Sequence, residues 1–243
     1  MVKLTINERK IQAEEGTTIL YAARDNNINI PTLCENEAVS PYGACRLCLV
    51  EIKTAKGRER TVTACIYLVE EGLTVQTDTE KIRNIRRMLL ELLLARCPDS
   101  EVIQEMAAEY DLEKTRFPKR KGNNKCILCA NCARTCEEVV GVSAISLAKR
   151  GVERELTTPY DEDFSEVCIG CGSCAYSCPT GAISLTDKGS KRVIKWPHNT
   201  MDFKLQKCSV CGTYWVPEKQ VEYIAATSGT PLSDYDACPD CRE

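Results

Sequence analysis

Apolar and polar residues alternate from the first positions of the chain: Val2, Leu4 and Ile6 share one side, with Lys3 and Thr5 between them. That period of two predicts a strand. Asn7-Glu8 turns the chain, and Ile11 and Ala13 return it as the second arm of a hairpin. The period then changes: Thr17 stands where an N-cap belongs, ahead of Ile19, Leu20, Ala22 and Ala23 at helical spacing. A long loop with three cysteines follows. Leu49-Val50-Glu51-Ile52 and Thr61-Val62-Thr63-Ala64 read as strands on either side of a turn at Gly57, and Leu73–Gln76 as a last short strand. Together these predict a small α+β domain over residues 1–78.

From Thr77-Asp78 the pattern becomes helical again, rich in leucine and charge, over about Glu80–Arg96, and Pro98 ends it. A second helix is predicted over Ser100–Tyr110, so residues 79–118 read as a helical linker. Beyond it the chain repeats itself. Residues 119–148 and 166–185 carry one cysteine pattern offset by 42 residues. Each block closes on a short apolar stretch, Val142-Ser143-Ala144-Ile145 and Thr180-Gly181-Ala182-Ile183-Ser184. A repeat this short predicts two halves packed around one core, a domain over 119–195. Trp196-Pro197 opens a tail, 196–243. The longest apolar run, Met88–Ala95, is broken by Glu91 and too short to cross a bilayer. The N-terminus lacks the apolar core of a secretory signal, so a cytoplasmic protein that does not span a membrane is expected.

Composition changes the picture through one residue type. There are 17 cysteines in 243 residues, and in a reducing compartment such a number points to metal binding rather than to disulfides. Sixteen sort into four groups of four. The formal charge is −3; with about −2 for each four-thiolate centre it falls to about −11. That acidity argues against a nucleic-acid partner, which needs a basic footprint. The basic run Lys119-Arg120-Lys121 reads as a solvated loop.

The strongest signal is the doubled C-x2-C-x2-C-x3-C: Cys126, Cys129, Cys132, Cys136 and Cys168, Cys171, Cys174, Cys178, the second followed by Pro179 and the first by Glu137. In two-cluster ferredoxins the fourth cysteine of each run ligates the other cluster. Carried over, Cys126, Cys129, Cys132 and Cys178 hold one [4Fe–4S] cluster, and Cys168, Cys171, Cys174 and Cys136 the other. Small residues between ligands (Ala130, Gly170, Gly172) let backbone N–H groups approach the sulfides. Zinc at these positions is the weaker alternative. Cys34, Cys45, Cys48 and Cys65 depart from the plant-type spacing but keep a loop of three thiolates and a distant fourth, which points to a [2Fe–2S] cluster. Arg46, between two of these ligands, places charge near the sulfurs or is simply solvated. Cys208, Cys211, Cys238 and Cys241 form two C-x2-C knuckles: a zinc-ribbon-like site in a first reading, a further [4Fe–4S] cluster in a second. Cys97 reads as a core residue, and His198, the single histidine, as a surface or packing residue.

The stretch Gly43-Ala44-Cys45-Arg46-Leu47-Cys48-Leu49-Val50-Glu51, the helix beginning near Thr79, Cys126-Ile127-Leu128-Cys129 and Cys168-Ile169-Gly170-Cys171-Gly172 resemble the iron–sulfur subunit of bidirectional NAD-linked hydrogenases. That subunit is itself similar to the N-terminal part of the large iron–sulfur subunit of respiratory complex I, and to the same region of electron-bifurcating hydrogenases. The resemblance covers about residues 1–190. It implies an α+β protein with an N-terminal β-grasp [2Fe–2S] ferredoxin domain, a helical linker and a bacterial-type two-cluster [4Fe–4S] ferredoxin domain; the small zinc-ribbon-like tail is not part of the family's pattern and rests on its own cysteine spacing. It also implies a relay between a flavin- and NAD-binding subunit and a hydrogenase or other catalytic subunit. Relatives carry another cluster between the first two domains, on one histidine and three cysteines. Here Ala95-Arg96-Cys97-Pro98-Asp99-Ser100 offers one cysteine, a vestige of that site.

No nucleotide-binding glycine motif and no acid–base constellation is present, so no catalytic residue of its own is expected and flavin and nicotinamide belong to a partner. The same relay role in an NAD-dependent formate dehydrogenase, or a redox-sensing module, are the alternatives to a hydrogenase subunit.

Overall fold

Alternating burial along β1 (Val2–Ile6) and β2 (Arg9–Ala13) places Leu4, Ile6, Ile11 and Ala13 on one buried face. The two strands pair antiparallel around Asn7 and Glu8, both at positive φ. This computed structural model describes residues 1–120, 125–158 and 166–242. They fall into two compact units, one ending at Cys129 and the other beginning at Ala130.

In the first unit the hairpin leads into α1 (Ile19–Asp25), then β3 (Leu49–Lys53), β4 (Glu59–Thr63) and β5 (Thr74–Gln76). The sheet order is β2-β1-β5-β3-β4, with β1 and β5 parallel and the other neighbours antiparallel. The α1 cap is Thr18, one residue beyond the expected Thr17. The Thr18 hydroxyl accepts from the Tyr21 N–H at 3.4 Å, whereas the Thr17 carbonyl is taken by the Val69 N–H at 2.9 Å. A cap must reach the N–H three residues on, and Thr17 is already committed to a neighbouring segment. The helix seats Ile19, Leu20, Ala22 and Ala23 against Val50, Ile52, Leu73 and Val75 of the sheet layer. Each fully buried aliphatic contributes about 1.5–3 kcal/mol.

The linker helices follow as α2 (Glu80–Arg96), capped by the Thr79 hydroxyl, and α3 (Glu101–Ala108), with Ser100 at its N-cap. The second is shorter than expected: Glu109 and Tyr110 leave the helix ahead of Asp111, which is at positive φ. Ile82, Arg86, Leu90 and Leu94 recur every fourth residue as the buried stripe of α2. Glu91, which interrupts the apolar run, is buried too. Its carboxylate accepts from the Arg116 backbone N–H and from Nε and Nη2 of the Arg116 guanidinium at 2.8–3.0 Å, pinning the segment after α3.

The second unit begins with α4 (Asn131–Arg134), which runs into a π-helical turn at Thr135–Val139. A hairpin of β6 (Ser146–Ala148) and β7 (Glu155–Thr157) comes next, then α5 (Ser173–Tyr176). After α5 the chain forms β8 (Ser184–Lys188), β9 (Lys191–Lys195), β10 (Thr200–Lys207) and β11 (Tyr214–Pro217), antiparallel neighbours in one sheet of order β11-β10-β9-β8. Helix α6 (Glu218–Ser228) closes this unit against β10 and β11. One core draws on both repeats and on the tail: Ile145 from the first block, Leu156 from β7, Cys174 and Ile183 from the second block, with Ile194, Trp196 and Phe203. No helix among the described residues is long and apolar enough to cross a membrane. Lys121, last of the basic run, lies outside the described residues.

Candidate metal centres

Three of the first four cysteines ride the loop between α1 and β3, and the fourth, Cys65, follows β4. All four are buried. They sort into two pairs. The Cys45 N–H donates to Cys34 Sγ at 3.3 Å, and the two thiols share a proton that lowers Cys45 to about 5 while raising Cys34. Cys48 Sγ lies 3.3 Å from Cys65 Sγ, which lowers Cys48 and raises Cys65 in the same way. Two thiolates per iron, two irons side by side, is the donor set of a [2Fe–2S] cluster. Gly43 at the loop entrance has φ +67, and a Cβ there would lie 2.6 Å from Ile66 Cδ1, so this turn needs glycine. Arg46 is left-handed (φ +62) and exposed.

Sequence patterning missed the residue that holds this loop. Arg86 of α2 is 2% exposed; its Nε donates to the Leu47 carbonyl and its Nη2 to the Leu49 carbonyl, each at 2.9 Å, bracketing Cys48. The available signal was a charge lying on the apolar stripe of an amphipathic helix. Cys97 is fully buried as a core residue, and its thiol donates to the Cys126 carbonyl at 3.0 Å. Burial pushes that thiol up to about 12. His198 is exposed between β9 and β10.

The internal repeat is backbone-deep. Leu128 and Gly170, at equivalent positions, are both left-handed (φ +54 and +69), as are Ala130 and Gly172 (φ +65 and +83). Ala130 and Gly172 each precede a four-residue helix carrying the third cysteine. In each block one N–H returns to the fourth cysteine: Ala144 to Cys136 Sγ and Ala182 to Cys178 Sγ, both at 3.2 Å. The blocks differ in how the chain gets there. The first takes eight residues and the second four. Glu137 replaces a proline because the first block continues as a π-helical turn rather than leaving the helix at once.

Cys168, Cys171, Cys174 and Cys136 line one largely apolar pocket with Ile145, Ile169, Ile194 and Trp196. Burial pushes Cys174 up to about 12, and the neighbouring Trp196 indole opposes the rise. Four convergent thiols, donated N–H groups and apolar walls fit a [4Fe–4S] cluster, whose charge is balanced by hydrogen bonds to sulfur. Of the other expected set, Cys126 and Cys129 lie in the first unit, Cys132 and Cys178 in the second.

Smallness at Gly170 serves a neighbour as well as the ligands. Its N–H does hydrogen-bond Cys168, but a Cβ there would also fall 2.5 Å from Cγ of Phe203 in β10. Leu128 shows that a side chain tolerates the equivalent turn. Gly170→Ala is therefore expected to cost about 2 kcal/mol from the left-handed backbone and the displaced ring, read as lower thermal stability and incomplete iron loading. A variant melting within about 2 °C of the parent would count against this.

The tail thiols are arranged differently. Cys208, Cys211, Cys238 and Cys241 bring their sulfurs within 4.8 Å of one another, with Cys211 and Cys238 at 3.8 Å. A single tetrahedral ion with metal–sulfur bonds of about 2.3 Å sets its ligand sulfurs about 3.8 Å apart. A [4Fe–4S] cube interposes four irons and holds its cysteines wider. Backbone N–H groups of Cys238, Cys211 and Val210 point at Cys208 Sγ and lower that thiol to about 6. The Arg242 guanidinium stacks over the rings of Trp215 and Tyr235 at 5.3 and 4.9 Å, closing the second knuckle.

Known proteins share these modules. Residues 1–80 match the 2Fe-2S iron-sulfur cluster binding domain family and residues 167–213 the 4Fe-4S dicluster domain family. The chain is an iron–sulfur protein. Its first cysteine block, Cys126–Cys136, lies outside the matched spans. Over 208 residues, 75% of this chain, it is 35% identical to a component of the NADH-quinone oxidoreductase of Rhizobium meliloti. It is equally similar, over 206 residues, to the alpha subunit of the NADPH-Fe(3+) oxidoreductase of Geobacter sulfurreducens. The HndD subunit of the NADP-reducing hydrogenase of Solidesulfovibrio fructosivorans is 30% identical over 212 residues. The chain spans about a quarter of the first two relatives and 36% of the third. Among solved structures, an NAD+-reducing [NiFe]-hydrogenase in the H2-reduced state superposes with a TM-score of 0.56 at 29% identity, covering 65% of this chain and 75% of that one.

Proposed function

We propose that the chain is an electron relay with one [2Fe–2S] cluster on Cys34, Cys45, Cys48 and Cys65 and two [4Fe–4S] clusters. One set is Cys168, Cys171, Cys174 and Cys136; the other, from the repeat, is Cys126, Cys129, Cys132 and Cys178. The observation that carries this reading is the shared pocket of Cys136 with the three cysteines of the other block. Two clusters with crossed ligands suit conduction of single electrons between partners. The domain plan that fits is a β-grasp ferredoxin over 1–78, a linker over 79–118, a dicluster domain over 119–195 and a tail over 196–243. The sheet order β2-β1-β5-β3-β4 with its packed α1 supports the first of these. The compact tail site favours one zinc over a further cube.

The partners that suit a relay are a flavin- and NAD-binding subunit on one side and a hydrogenase or comparable catalytic subunit on the other, in keeping with the names of the relatives. Anaerobically purified protein is expected to contain about 10 iron atoms and about one zinc per chain and to copurify with a flavoprotein. About 14 iron and no zinc would reject the zinc assignment. A lone chain that reduces NAD unaided would reject the relay.

A further inference from the structure

Helix α6 sits between the two knuckles of the tail yet reaches both ends of one cluster's ligand set. Lys219 and Tyr223 are four residues apart and so lie on one face of the helix. Lys219 Nζ donates to the Glu166 carbonyl at 3.1 Å, two residues before Cys168. Tyr223 Oη donates to the Val140 carbonyl at 3.0 Å, within the stretch that runs from Cys136 to the Ala144 N–H bonded to it. The chain is shaped for that phenol: next to Val140, Gly141 has φ +78, and a Cβ there would lie 3.1 Å from Tyr223 Oη. This stretch is where the first block is longer than the second. The opposite face of α6 is buried through Val221 and Ala225.

We propose that α6 is a positioning and electrostatic element for the cluster of Cys136, Cys168, Cys171 and Cys174: Lys219 raises its reduction potential, Tyr223 fixes the Cys136 loop, and the metal-bound tail holds the helix in place. This rests on the ligand set proposed above. Reduction adds one electron, and hence one negative charge, to the cluster. A nearby ammonium stabilises that charge, and Lys219 is tied to the backbone two residues before Cys168. The repeat has two cluster halves but one α6, so the device separates the potentials of two otherwise similar centres.

The experiment is a redox titration of the full-length holoprotein followed by electron paramagnetic resonance. Lys219→Met is expected to move one [4Fe–4S] signal about fivefold toward oxidised at fixed potential, about 40 mV at 59 mV per decade for one electron, with the other signal unmoved. Lys219→Arg is expected to restore the parent value, and Tyr223→Phe to alter the line shape of the same signal. No shift in Lys219→Met, or an equal shift of both clusters, would overturn the proposal. Cys136→Ser and Cys168→Ser are titrated in parallel. If they perturb the same signal, and it is the one Lys219→Met moves, the proposal stands; if Lys219→Met moves the other, it falls. If they perturb different signals, the ligand set fails and the proposal with it, a result read without any α6 variant.

Discussion

Cys238→Ser is expected to abolish zinc binding and to unfold the segment after Lys207 while leaving iron bound. Of the four tail sulfurs, Cys208 and Cys238 are buried and the others more open. The apolar support between the knuckles is small, chiefly Val216, Val221 and Ala225. A core of that size does not hold a fold by itself, and small metal-centred units draw about 10–16 kcal/mol from four-thiolate zinc. Loss of one ligand removes most of that. Zinc should fall from about one per chain to under about 0.2, with proteolysis opening the chain after Lys207. The Arg242 stack on Trp215 and Tyr235 should dissolve, seen as a change in tryptophan fluorescence. Retention of a full zinc complement, or a protease-resistant tail without zinc, would show that the four thiols are not its organising centre.

Arg86→Leu is expected to loosen the [2Fe–2S] site without touching a ligand. The substitution keeps an apolar stem on the buried stripe of α2 but strips partners from the Leu47 and Leu49 carbonyls, on either side of Cys48. Each buried carbonyl left unsatisfied costs about 1–3 kcal/mol, so the loss over the two is about 2–6 kcal/mol and the melting temperature falls by about 10 °C. The visible absorbance of the [2Fe–2S] centre should bleach before the helices unfold. Arg86→Lys should recover part of the stability only, because an ammonium cannot present the fork that reaches both oxygens. A melting temperature within about 2 °C of the parent, with an undisturbed spectrum, would remove Arg86 from the site.

Both experiments turn on what could be read along the chain. The hairpin, α1 and α2 were legible because their periods of two and near four are local. Thr18 instead of Thr17 as cap was not, because a segment around Val69 had already claimed the Thr17 carbonyl. The cysteine groups were equally legible: ligand spacing within a short loop is a local property, and the left-handed positions at residues 128, 130, 170 and 172 follow from it. Arg86 showed only as an anomaly on a stripe. Glycine at 170 looked like a courtesy to the ligands and turned out also to make room for Phe203, which is remote in sequence.

The sequence by itself determined how the cysteines fall into groups, that two of the groups form a repeat, and that each group of four suits one metal centre. Thiolate chemistry and loop length are short-range, and one chain segment suffices to express them. The tertiary structure alone decided which sulfurs face one another, how widely they stand apart, and what charge is set beside them. Cys136 enters the pocket of Cys168, the tail thiols close to the spacing of one ion, and Lys219 and Tyr223 reach the backbone near Cys168 and Cys136 from a separate segment. Those are distances between parts of the chain that packing, not spacing, brings together.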